Sequence, residues 1–273
     1  MSTRITLRPR AGVTGSVDVE GLTADRLSLL SAGEIAQLPV WHSGRRAPLG
    51  EFFDVEGGHA ADVLIQGSVA HVHGIAAGMN GGDMLIDGDA GDGVAADMRG
   101  GKVEVRGAAG HEAGAGMSGG ALLIGGDAGD RLGAARPGAQ KGMTGGEIIV
   151  RGSAALDAGA ACRRGLIVVM GDVGDDAARS MVAGSLLVAG RCGSGAGRFN
   201  KRGSVIAMGG IEVPSTYRYA CTFRPPHLRV TLWYLMRRYD LSFAPAVLQG
   251  RYRRFCGDLV SPGKGEILVW EEA

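Results

Sequence analysis

Several groups of residues in this sequence have the types and spacing to do chemistry. His71 and His73 form a His-x-His pair, through which one strand can offer two imidazoles to a metal. A working centre needs three or four ligands, and nothing nearby completes the set, so both are expected to be surface or turn histidines. Gly114-Ala-Gly-Met-Ser-Gly119 fits G-x-G-x-x-G. That loop cradles a dinucleotide only between a strand and a following helix, and here the strand-like ALLIGG follows. The Gly-Asp runs at 88–92, 126–130 and 171–176 could supply carboxylates to calcium. Calcium-binding repeats of that type keep a nine-residue period, so these aspartates are expected to hydrogen-bond their own turns. Cys162, Cys192, Cys221 and Cys256 form no C-x-x-C pair and are expected to be reduced structural thiols. No nucleophile, base and orienting group stand together in the sequence. The expectation is no catalytic residue and no metal ligand in this chain.

The elements that hold these residues follow from glycine. The chain has 49 glycines in 273 residues, far above ordinary usage, with no collagen period. Written in blocks of 19 residues, it aligns with itself from Asp83, Lys102, Glu147, Leu166 and Ser185. The blocks from Asp62 and Ala121 carry insertions and run to 21 and 26 residues, and a partial eighth begins at Ser204. Position six is always glycine, from Gly67 and Gly88 through Gly209, and each complete block ends in glycine. Such positions need a positive φ or a close backbone approach.

Between the glycines lies a short apolar run, which reads as a strand. Side chains alternate across a strand. Positions two and four are apolar throughout, as in Val103 and Val105, whereas Glu104 stands between them. Two and four therefore face inward. Position sixteen is Met79, Met98, Met117, Met143, Cys162 and Met181 in turn, an internal ladder of core filler. One strand cannot bury its apolar face alone, so successive repeats must stack. At about 4.8 Å per strand the rod is roughly 34 Å long, and both open ends need caps. The expected fold is mainly β: a right-handed parallel β-helix of about seven coils over 62–210. A small α/β cap segment over 1–61 and a helix-and-strand extension over 211–273 flank it.

In the first flank RITLR and VDVEG read as strands. Ser31 and Glu34 have the spacing of a capping box, and LPVWHSGRRAPLGEFFDVEGG reads as a loop and strand feeding the first repeat. In the second flank Leu228, Leu232, Leu235, Met236 and Tyr239 recur at helical spacing behind Pro225-Pro226. This predicts an amphipathic helix over 226–240, then an irregular segment, a turn at 261–265 and a closing strand. Position three should face outward, yet Leu64, Leu85, Leu123, Ile149, Val168, Leu187 and Ile206 occupy it, Glu104 being the exception. A stripe that long does not stay exposed on a soluble protein, so the flanks, a partner subunit or both are expected to cover it.

Composition removes several classes. A net charge of +1 argues against a dedicated nucleic-acid binder. No apolar run reaches the roughly 18 residues of a membrane span, and MSTRITLRPR lacks the apolar core of a signal peptide. A cytoplasmic location is expected, with no nucleic-acid or membrane partner.

The glycine repeats, the leading LPVWHSGRRAPLGEFFDV and the trailing RYRRFCGDLVSPGKGEILVW together resemble the C subunit of formylmethanofuran dehydrogenase, and that of its bacterial relative, the formyltransferase/hydrolase complex. The repeats are also similar to the C-terminal β-helix of the large glutamate synthase subunit. The resemblance implies a non-catalytic structural subunit. Its partners would be an amidohydrolase-like A subunit, a B subunit and a formyltransferase D subunit, with metal in a partner subunit. The complex would move a formyl group between tetrahydromethanopterin and a methanofuran-type carrier and hydrolyse it to formate in one-carbon metabolism. With 25 arginines to 4 lysines the chain has the composition of a GC-rich genome, which favours the bacterial hydrolase complex. The alternatives are a true formylmethanofuran dehydrogenase and a free-standing β-helix enzyme or glutamate-synthase-like domain. The family's carriers bear polyglutamate tails. Arg163-Arg164 and Lys201-Arg202 share positions seventeen and eighteen two repeats apart, so this corner is the candidate site for such a tail.

Overall fold

A computed structural model describes residues 4–271. The first flank contributes β1 (Ile5–Pro9), β2 (Val17–Asp18), α1 (Ala24–Leu27), α2 (Ala32–Ala36), β3 (Pro39–His42), β4 (Arg45–Pro48) and β5 (Phe53–Glu56). The Ser31–Glu34 capping box starts α2, with both reciprocal hydrogen bonds present. The stretch expected as a loop before the first repeat is a hairpin instead: β3 and β4 pair antiparallel around Ser43 and Gly44, whose φ angles are 48° and 79°. Two successive positive φ angles give the turn whose twist matches paired strands.

The repeats supply β6 (Asp62–Gln66), β7 (Val72–His73), β8 (Asp83–Asp87), β9 (Lys102–Val105), β10 (Ala121–Ile124), β11 (Glu147–Val150), β12 (Leu166–Val169), β13 (Ser185–Val188) and β14 (Ser204–Ala207). Except for β7, which joins a four-stranded side sheet with β2, β3 and β4, each pairs in parallel with the matching strand of the next repeat. The register keeps position for position: Val103 opposite Leu122, then Ile148, Ile167 and Leu186. A second parallel ladder of single bridges joins Val69, Ala90, Ala109, Ala128, Ala154, Val173 and Cys192. Those are the eighth positions, whose alternation of Val, Ala and Cys was too plain to read as a ladder.

The interior is therefore columnar. Positions two and four are buried in every repeat, and so is the whole position-sixteen column from Met79 to Met181. The next residue of that column is Asn200, fully buried, which bonds Gly203 through both amide atoms at 2.8 Å. The glycines divide two tasks. Gly101 closes its repeat at φ +86°, a conformation few other residues adopt. Gly107, at position six, is ordinary in φ, but a Cβ there would sit 2.8 Å from the backbone of Gly88 in the preceding repeat.

The second flank contains β15 (Arg218–Phe223), α3 (Pro226–Tyr239), α4 (Pro245–Gln249), β16 (Arg251–Gly257) and β17 (Gly265–Glu271). β17 continues the parallel ladder beyond β14, and β16 and β15 follow antiparallel. At the opposite end β1 joins β6 in parallel and β5 closes antiparallel. One sheet of 13 strands results. RYRRFCG, expected to be irregular, is strand β16, because both of its edges find partners in β15 and β17.

Helix α3 lies over the outer face of this sheet. Leu228, Leu232, Leu235 and Tyr239 form a second core with Ile149, Val168, Leu187 and Ile206. Four of the seven apolar residues of the position-three stripe are thus covered by the chain's own flank. Leu64, Leu85 and Leu123 remain half-buried. Around Leu64 and Leu85 the face is built of ion pairs, Arg4–Asp62 at 2.9 Å and Arg106–Asp87 at 2.8 Å among them.

Candidate functional site

Each repeat turns at positions seventeen and eighteen, directly after the inward methionine, and that turn presents its side chains outward. The backbone N–H of Arg163 donates to Met143 O and that of Lys201 to Met181 O, both at 2.8 Å. These bonds lock the corner to the ladder beneath it. Arg163, Arg164, Lys201 and Arg202 are all exposed. Arg163, Arg164 and Arg202 rim a depression of about 550 Å³ whose floor is Thr144, Val182 and Ala183. Lys201 stands beside it and does not line it.

The corner differs from four paired arginines on the repeats and shares with Arg99 and Arg191 the lack of a carboxylate within ion-pair distance among the described residues. Arg106, Arg136, Arg179 and Arg198 each reach a carboxylate, at 2.8, 2.8, 2.8 and 3.3 Å. Among the described residues no carboxylate lies within ion-pair distance of the four corner cations. Like charges gathered around one hollow without acids favour an anion there, and the attraction is screened over about 8–10 Å at physiological salt. Directly under the corner, Cys162 Sγ donates to Arg164 O at 3.3 Å. Burial pushes its thiol up to about 11, which disfavours the reactive thiolate near neutral pH.

The other sequence candidates have structural partners. His73 Nδ1 accepts from the Asp92 N–H at 2.9 Å, and His111 Nδ1 accepts from the Asp130 N–H at 3.0 Å, one repeat further on. His73 thus ties one turn to the next. Among the described residues no group of three or more His, Cys, Asp or Glu could hold a metal. The G-x-G-x-x-G glycines serve packing: a Cβ at Gly116 would meet Asp97 Oδ1 at 2.3 Å, and one at Gly119 would meet Arg99 O at 2.3 Å. The aspartate runs bond the following repeat, not their own turns as expected. Asp89 Oδ1 accepts from Ala108 N, Asp127 Oδ1 from Ser153 N and Asp172 Oδ1 from Arg191 N, at 2.8, 2.8 and 2.7 Å. The N–H groups of their own turns are already taken, Ala90 N by Ala108 O, Ala128 N by Ser153 O and Val173 N by Arg191 O, so each carboxylate turns to the next repeat.

Sequence reading missed one polar cluster. Glu147 Oε2 accepts from the hydroxyls of Tyr234, at 3.0 Å, and of Tyr239. Arg151 donates to Tyr239 O at 2.9 Å. Burial first, and the Glu147 carboxylate second, raise the Tyr239 phenol well above its ordinary range. The cluster fastens the end of α3 to β11. Only its spacing on two distant segments kept it hidden.

Stacked parallel strands, an inward methionine column and antiparallel caps define a repeat-built β protein that carries one exposed cationic corner on its repeats. No family model matches the chain. Among solved structures it is similar to a chain of the formyltransferase/hydrolase complex (FhcABCD) from Methylorubrum extorquens in complex with methylofuran. The match has a TM-score of 0.89 and 32% identity, and covers 98% of this chain and 100% of that one. The C subunit of the molybdenum-containing formylmethanofuran dehydrogenase 1 of Methanosarcina barkeri is 33% identical over 92 residues, 32% of this chain and 31% of that one. Its counterpart in Methanothermobacter thermautotrophicus is 35% identical over 87 residues, 31% of this chain and 22% of that one. The chain's match thus spans a third or less of these curated relatives' length. It belongs to the family of formylmethanofuran dehydrogenase C subunits, together with the corresponding chain of the formyltransferase/hydrolase complex.

Proposed function

We propose that this chain is the non-catalytic C subunit of a formyltransferase/hydrolase complex, holding its A, B and D partners in a cytoplasmic assembly. That assembly would move a formyl group between tetrahydromethanopterin and a methanofuran-type carrier and hydrolyse it to formate. The observation that carries the reading is likeness over both full lengths to a chain of such a complex, flanks included. Shared repeats alone would match only the middle. The chain's own side chains agree in kind: the aspartates at its turns bond the following repeat, and its thiols Cys162 and Cys192 are held protonated by burial.

In this reading 62–210 is a right-handed parallel β-helix of about seven coils, with 1–61 and 211–273 as its two caps. Right-handed crossovers are the near-universal choice between parallel strands, and a second bridge ladder beside the main sheet supports a coil with two β faces. The corner of Arg163, Arg164, Lys201 and Arg202 holds the anionic tail of the carrier near the partners' active sites. Replacing all four with serine should raise the complex's apparent KM for polyglutamylated carrier at low salt and leave tail-less carrier unchanged. Unchanged values for both would reduce the corner to solvated surface.

The curated relatives favour a second reading, the C subunit of a true formylmethanofuran dehydrogenase. The two are separated by elemental analysis of the purified complex together with its activity. Molybdenum and oxidation of formylmethanofuran would select the dehydrogenase. Formate release without molybdenum would select the hydrolase.

A further inference from the structure

Helix α3 is apolar on two faces. Its inner row, Leu228, Leu232, Leu235 and Tyr239, is buried on the sheet. Its outer row carries Val230 and Trp233, which are 69% and 58% exposed. Exposed apolar side chains gathered on one face of a soluble protein mark an interaction site. Between α3 and the short α4 runs a groove of about 630 Å³. Val230 and Trp233 form one wall, Val247 and Leu248 the other, and Tyr252 lies at the base. Two guanidinium groups, Arg224 and Arg229, stand at its rim. Among the described residues neither has a carboxylate within ion-pair distance, and no Asp or Glu lines the groove.

We propose that this groove receives an acidic amphipathic segment of a partner protein, with an apolar side chain between α3 and α4 and flanking carboxylates on Arg224 and Arg229. The proposal rests on the reading of the chain as one member of a complex; it adds which surface is used and the partner's chemistry. Three points select this occupant. Trp and Arg are the residue types that dominate binding energy at protein interfaces, and here they border one hollow. Guanidinium groups match carboxylates in a paired geometry that other anchors do not offer. Val230 and Trp233 line the groove yet stay mostly exposed, so a small molecule lodged inside would leave much of both in water, whereas a chain lying along α3 covers both. A second copy of this chain is disfavoured on charge. A two-fold interface sets each patch against itself, which would bring Arg224 and Arg229 against their own symmetry mates.

The test uses the assembled complex. A photo-crosslinking residue, p-benzoylphenylalanine, is placed at Val230 of the full-length chain, co-expressed with the A, B and D partners, and the cross-linked peptide is sequenced. The expected product is a segment of A, B or D with at least two acidic residues within about four positions of the cross-link. Trp233→Ala, and separately Arg224→Glu with Arg229→Glu, should weaken association with that partner by about 30-fold, the scale of an interface hot spot. Thermal melting of the chain itself should change little, because all three side chains are exposed. Changing the cross-linked acids to lysine should restore binding to the Glu variant. A cross-link to a second copy of the chain, to a segment without acids, or to nothing in an intact complex overturns the groove proposal alone. Failure of the wild-type chain to assemble with A, B and D overturns the subunit reading and this proposal with it.

Discussion

Leu232 and Trp233 are neighbours in sequence, and the structure gives them opposite fates. Leu232 is fully buried against Val168 and Leu187 of the sheet, whereas Trp233 is 58% exposed. Removing a buried leucine side chain deletes its transfer free energy and leaves a cavity, so Leu232→Ala should cost about 2–5 kcal/mol. Trp233→Ala, at a mostly exposed side chain on the groove wall, should cost at most half as much, about 1 kcal/mol or less. Helix propensity does not confuse the comparison, since alanine is as good a helix former as either. At roughly 2–4 °C per kcal/mol for a chain of this size, Leu232→Ala should lower Tm by about 4–20 °C. Urea denaturation and thermal melts of the purified full chain read both variants. If Trp233→Ala proved the costlier change, α3 would be rotated on the sheet, and both the second core and the partner groove would be wrong.

Three further outcomes follow from the columns and turns. Gly33→Ala, in α2 with nothing within 4 Å of the new Cβ, should stabilise by about 0.5–1 kcal/mol, whereas Gly107→Ala should prevent folding or cost more than about 4 kcal/mol, since its Cβ would press on the preceding repeat; melting curves separate the two. Asp172→Ala loses the 2.7 Å bond to Arg191 N and should cost about 0.5–1.5 kcal/mol in the same assay. Burial raises Cys162 from 9.0 to about 11 and Cys192 to about 12. The protonated thiol is favoured in the fold, so the unfolded chain loses its proton first. That stability is complete below pH 9 and is lost as pH rises toward 11 and 12. A thiol reagent at neutral pH should therefore label exposed Cys221 at once and Cys162 only on unfolding; prompt labelling of Cys162 would contradict the buried column.

How much of this was legible beforehand depended on period. The strands β6 to β14 recur with a fixed spacing, so glycine at position six and methionine at position sixteen stated both register and burial. Asn200 closes that methionine column, and its change of residue type was itself the signal that the next layer differs. The flanks have no period. β16 looked irregular because Arg251, Arg253 and Arg254 mask the alternation of a strand whose edges are paired by distant segments. The Ser43-Gly44 turn was readable in principle, but WHSGRR between short strands gives little apolar contrast. The basic corner was found because it falls on repeat positions. The groove at Arg224, Arg229 and Trp233 was not, because α4 forms its second wall and five residues starting at Pro245 carry no helical period.

The central claim is that this chain works as one member of a larger complex. Native mass spectrometry and size exclusion of the chain co-expressed with the proposed A, B and D partners test it most directly, with activity measured across the same fractions. The account predicts that the chain runs with those partners, far above its own 28.0 kDa, and that formyl transfer and hydrolysis follow the assembled peak. A free 28.0 kDa particle carrying its own activity would contradict it.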